Sequence, residues 1–101
     1  MAESKEVKQW VGLLTSKEDA RQSKMKARYT ELAGLSEEDR VKQVTDMARA
    51  EHELDEDKLH VFTKSRLETW ISMDADKAES VARAYDEAMK NLPGTLAMRR
   101  V

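Results

Sequence analysis

An all-α fold, a small bundle of four to five short helices with up-and-down connections, is what this sequence predicts. Three observations carry the prediction. The 101 residues include only three glycines and one proline, and Ala, Glu, Lys, Arg, Leu and Met dominate the rest, a composition that favours helix nearly everywhere. Apolar residues recur at i, i+3, i+4 and i+7, which is the period of one helical face rather than of a strand. A chain of this length fits a single domain. Aromatic residues make up only 5%, so the core is expected to rest on Leu, Val, Met and Ala.

The first segment, "SKEVKQWVGLL", places Val7, Trp10, Val11 and Leu14 on one stripe, with Lys5, Lys8 and Gln9 away from it. We assign residues 1–15 to an amphipathic N-terminal helix that is either packed on the bundle or an arm. Residues 16–92 then form the bundle and residues 93–101 a tail. Ser16, with Asp19 three residues on, reads as an N-cap signal. The helix that follows has little to bury in its first half, where Glu18, Arg21 and Gln22 occupy the inward positions; Met25, Tyr29 and Leu32 make its stripe. Gly34 ends it as a C′ residue.

The next start is strongly punctuated. Ser36 caps, Glu37, Glu38 and Asp39 load the first turn where the helix dipole favours anions, and Leu35 can staple. Val41, Val44, Met47 and Ala48 form its inward face. Leu59, Phe62, Leu67, Trp70 and Ile71 are expected inside from the segment after it. No Gly or Pro separates these two segments, but one helix over residues 36–73 would bury His52 and Asp55 in an acidic run at a cost. A break near Leu54 and Asp55, with Asp55 as N-cap, removes that cost. Asp74 opens the most regular helix, with Ala78, Val81, Tyr85, Ala88 and Leu92 at helical spacing before Pro93-Gly94 stops it.

The stretch "AEHELDEDKLH" holds both histidines, His52 and His60. They stand eight residues apart, roughly 12 Å along a continuous helix at 1.5 Å per residue, too far to share one zinc readily. The i, i+4 two-histidine spacing is absent. Neither "DEDKLHVFTKSR" nor "DADKAESVARAY" has the central Gly or the terminal Glu of a calcium loop. The cluster reads as an acidic helix start with its histidines on the solvated flank, and no metal or cofactor is expected.

Composition narrows the function further. The absence of cysteine excludes disulfides and thiolate chemistry. Serines in helices and caps, without any Gly-rich loop, give no support for nucleophilic or phosphate chemistry, so the chain is not read as an enzyme. Without an apolar run near 20 residues or a secretory leader pattern, no membrane association is expected and a cytoplasmic location is the default. A net charge of −2 argues against general nucleic-acid affinity.

The expected role is therefore a non-enzymatic helical protein–protein interaction or regulatory module, binding a protein partner or itself as a homo-oligomer. Val7, Trp10, Val11, Leu14 and Trp70 are its candidate contact residues. The alternative is a small nucleic-acid-associated regulator using the basic stretch Lys24, Lys26 and Arg28.

Overall fold

The structure, a computed structural model, describes residues 5–94. Helix α1 (Lys5–Val11) runs into a 3₁₀ turn (Gly12–Thr15). Helices α2 (Glu18–Ala33), α3 (Glu37–His52), α4 (Glu56–Ser72) and α5 (Ala75–Lys90) follow. The described residues contain no strand, and the all-α bundle is the fold. Residues 36–73 form two helices: α3 ends at His52, and Asp55 adopts an extended conformation as N-cap of α4. Its side chain makes no capping bond, although its carbonyl accepts the Leu59 N–H at 2.8 Å. The caps expected at Ser36 and Asp74 are made, to Asp39 N–H at 3.2 Å and Asp76 N–H at 3.0 Å.

Most close packing joins helices that are not consecutive in sequence. α3 lies along α5, α2 packs on both α4 and α5, and α1 rests on α3. The result is nearly isotropic, 32 × 31 × 27 Å. Met25, Tyr29, Leu32, Val44, Ala48, Phe62, Val81 and Ala88 are sealed from water at the centre, where each large apolar side chain contributes about 1.5–3 kcal/mol.

The core does not rest on Leu, Val, Met and Ala alone, as the low aromatic content suggested. All five join one chain of ring contacts. Trp10 sits edge-on to Tyr29 (5.3 Å) and Phe62 (5.4 Å), and Trp70 contacts Tyr29 (5.9 Å) and Tyr85 (5.5 Å). Such pairs add about 0.5–1.5 kcal/mol beyond the area they bury.

The first two interhelical corners are built alike, and not as the sequence suggested. Arg21, in the second turn of α2, turns back to the preceding carbonyls: Nε donates to Leu13 O (3.0 Å), and Nη2 to Leu14 O (3.3 Å) and Ser16 O (2.8 Å). Arg40, at the same place in α3, repeats the pattern with Leu32 O (2.9 Å), Ala33 O (3.1 Å) and Leu35 O (2.6 Å). A helix end leaves carbonyls short of partners, and in both corners one guanidinium fork donates to three carbonyls, of which Leu13 O and Leu32 O also accept a backbone N–H.

Ser16 is thus not the N-cap of α2; Lys17 holds that position and Ser16 lends its carbonyl to Arg21. Gly34 likewise has φ −83°, so it does not make the left-handed C′ turn. The first half of α2, expected to have little to bury, buries Arg21 itself.

Candidate functional site

The last turn of α3 carries Glu51 into the middle of the bundle, where it is fully buried. A lone buried carboxylate would be prohibitively costly, and three donors remove that cost. Trp10 Nε1 and Tyr85 OH both donate to Oε2 at 2.7 Å, and Arg66 Nη1 donates to Oε1. The Arg66 guanidinium also lies 4.6 Å from the centre of the Tyr85 ring and 5.7 Å from that of Trp70, a cation–π arrangement. Tyr29 OH meets Tyr85 OH at 3.3 Å. Helices α1, α3, α4 and α5 are therefore tied at one carboxylate, with α2 joined through Tyr29.

Burial, and then the Glu51 charge, push both tyrosine pKa values well up. For Arg66, burial works to lower the pKa, but the Glu51 charge together with Tyr85 and Tyr29 more than offsets it and keeps the guanidinium firmly protonated. The hub is a closed ion pair with both carboxylate oxygens engaged, so its chemistry is that of an anchor.

A second polar cluster continues along the inner side of α4. Ser65 donates to Glu18 Oε2 (2.7 Å) and accepts from Arg21 Nη1 (3.1 Å), while Thr69 donates to Ser65 O (2.7 Å). The hydrogen bonds from Gln22 and Ser65, followed by the charge of Arg21, hold the Glu18 carboxyl below the usual carboxylate range. Ser65, Arg66 and Thr69 therefore take inward positions that the sequence assigned to Leu67 and Ile71. Leu67 is instead 50% exposed and Ile71 83% exposed, one turn apart on the outside. The reason is angular: Leu67 is five residues beyond Phe62, about 140° round the helix, so both cannot face the core.

The expected contact residues separate. Val7 and Trp10 are buried on the chain's own bundle. The 3₁₀ turn advances about 120° per residue, so Leu13, one turn from Trp10, is buried, and Leu14 is only half-buried. Val11 and Leu14 border a shallow groove of about 450 Å³ with Leu54, Lys58 and Val61. Trp70 is half-buried and lines a cleft of about 280 Å³ between α4 and α5, beside His60, Tyr85 and Met89. Its Nε1 is the one buried side-chain polar atom without a hydrogen-bond partner among the described residues.

In the basic stretch, Lys24 and Lys26 are exposed. Arg28 is half-buried and donates to Gln43 (2.6 Å) and Glu31 (3.4 Å). Lys24 and Arg28 share a groove with Glu6, Glu31 and Asp46, and Lys26 lies elsewhere on α2. His52 is corrected from the solvated flank to the interior, where Nδ1 sits 2.9 Å from Ala48 O; His60 is exposed as expected. Among the described residues no group of three or more His, Asp and Glu is placed to hold a metal, and no helix is long and apolar enough to cross a membrane.

Arg66 and Glu51 had no place in the sequence reading, and Arg21 entered it only as a polar residue at an inward position with little to bury. The readable signal was Ser65 and Thr69, small hydroxyls four residues apart in line with Phe62, which mark an inward face that is not apolar. No family model, no curated protein and no solved structure matches this sequence.

Proposed function

We propose that this chain is a non-enzymatic helical interaction module that associates with itself through the outer face of α4. Leu67 and Ile71 form the centre of that face and Trp70 lies at its edge. The observation that carries the reading is the exposure of Ile71, at 83%, on a helix that buries an arginine, a serine and a threonine. Single exposed apolar residues are ordinary on protein surfaces. Here two lie one turn apart on the same helix, and an interface covering them would recover the burial energy that α4 forgoes in the monomer.

Val11 and Leu14 keep a part in the proposal through the groove they share with Val61. Val7 and Trp10 drop out, since their own bundle already covers them. A cytoplasmic setting is part of the same proposal.

Sedimentation equilibrium of the wild-type chain and of an Ile71→Lys variant tests the proposal. A wild-type mass above that of one chain, falling to one chain in the variant with an unchanged melting temperature, is the expected result. A wild-type chain that stays monomeric at about 1 mM, the weak end of specific association, sinks it. The nucleic-acid reading ranks below, because Lys24 and Arg28 share their groove with three carboxylates and Lys26 stands apart. Its mark would be binding that falls steeply between low and moderate salt.

A further inference from the structure

Two polar groups left unspent by the fold line the same cleft between α4 and α5. Thr15, Thr30, Thr45 and Thr69 each donate to a backbone carbonyl one turn back. Thr63 does not: its half-buried side chain lines the cleft, and its hydroxyl forms no hydrogen bond among the described residues. Trp70 Nε1 is likewise the one buried side-chain polar atom without a partner among them. A buried donor left unmet is costly, and in a fold that meets its others it calls for a partner. Thr63 and Trp70 are about two turns apart on α4, so they share one face of it.

The cleft has the size and chemistry to take a small uncharged molecule. Its 280 Å³ holds roughly nine non-hydrogen atoms at about 30 Å³ each. Leu59, Leu67 and Met89 give it apolar walls. Glu56 and Asp86 also line it and form no ion pair among the described residues, which disfavours an anion. A cation is disfavoured too, because Arg66 already lies over the Tyr85 and Trp70 rings. We propose that this cleft binds a small neutral amide. The amide oxygen accepts from Trp70 Nε1, its N–H donates to the Thr63 hydroxyl, and its apolar body lies against Leu59, Leu67 and Met89. The indole N–H is closed to bulk water, so the half-buried ring turns slightly to meet the ligand. Ile71 does not line the cleft, so amide binding and self-association are separable.

Benzamide is a probe of that size and chemistry. It is titrated into the full chain at about pH 8, where imidazole is ordinarily uncharged, since His52 and His60 line the cleft as well. The readout is the NMR signal of each indole N–H, and Trp70→Phe identifies the Trp70 signal by removing it. The Trp70 signal should move with a dissociation constant of about 1 mM, while that of Trp10, bonded to Glu51, stays. Trp70→Phe keeps an aromatic ring without the donor and should weaken binding, read from the remaining amide signals, about tenfold. Thr63→Val keeps the side-chain shape and should weaken it several-fold with an unchanged melting temperature. Benzoate, the same shape with a negative charge, should bind about tenfold more weakly than benzamide beside two like charges. A Trp70 signal that does not move, or benzamide affinity unchanged in both variants, overturns the site. Benzoate or benzylamine binding more tightly than benzamide overturns the neutral class of ligand.

Discussion

Helices α4 and α5 are neighbours of almost equal length, 17 and 16 residues, and they distribute polarity in opposite ways. α5 buries Val81, Ala84, Tyr85 and Ala88 and turns its charges to water, so its sequence pattern and its environment agree. α4 buries Ser65, Arg66 and Thr69 beside Leu59 and Phe62, and leaves Val61, Leu67 and Ile71 outside. The difference teaches that a helix can be inward by its partners rather than by its period. Arg66 is inside because Glu51 is there to receive it, and the apolar residues displaced to the surface are what the proposed interface covers.

The largest expected effect breaks the polar side of that comparison. Arg66→Ala leaves the Glu51 charge buried with one donor lost and should cost about 3–5 kcal/mol, measured by urea unfolding. Replacing both partners, as Glu51→Leu with Arg66→Met, should recover only part of that loss: the ion pair itself can be replaced by apolar residues of similar volume, but the Trp10 and Tyr85 donors then lose their buried acceptor. A double variant as unstable as the single one would show that the hub is needed for more than its own satisfaction.

The hub also fixes how the fold responds to alkali. Tyr29 and Tyr85 have folded-state pKa values raised above the ordinary 10.0. Their contribution is therefore full below about pH 10 and lost as the pH climbs towards the folded values, because only the unfolded chain releases those protons readily. Stability should fall steadily above that pH, and Tyr29→Phe should flatten the decline. An equally steep decline in the variant would assign it to other groups.

Smaller changes sharpen the contrast between the helices. On α5, Val81→Ala opens a cavity in close packing and should cost roughly 1–3 kcal/mol. On α4, Ser65→Ala removes bonds to Glu18 and Arg21 at the partly wet end of the inner face and should cost about 1 kcal/mol. Smallest of all, Leu67→Ser with Ile71→Ser should leave the monomer's stability within about 0.5 kcal/mol. A larger loss in dilute solution would mean that the face supports the monomer itself.

The parts of this fold that are legible in sequence are those set by local chemistry. Ser36 and Asp74 cap as their side chains dictate, the acidic first turn of α3 falls where the dipole wants it, and the chain breaks before α4 with Asp55 as N-cap, although Glu51 and His52 are buried all the same. The face of α5 was legible because every inward residue on it is apolar. Glu51 and Arg66 were not. Periodicity assigns a charged residue to water, and nothing within either helix tells that a partner 15 residues away will meet it. Leu67 was a different kind of miss, since its angle from Phe62 is written in the spacing. Of the candidate contact residues, Trp70 lies at the edge of the proposed interface and Val11 and Leu14 border the groove beside Val61, whereas Val7 and Trp10 are covered by their own bundle.

The paired arginine corners carry a consequence for the order in which the chain folds. Each clasp closes within nine residues, from Leu13 to Arg21 and from Leu32 to Arg40. Loops of that length close in about 10–100 ns, and contacts so near in sequence spend little chain entropy before they are rewarded. Either corner can therefore form as soon as the first turns of the following helix exist, before any distant partner has arrived. The Trp10–Glu51 and Glu51–Tyr85 bonds span 41 and 34 residues and must wait for the bundle to close. Indole fluorescence from Trp10 should then report a late event, after the helical signal of the amino-terminal half has already appeared.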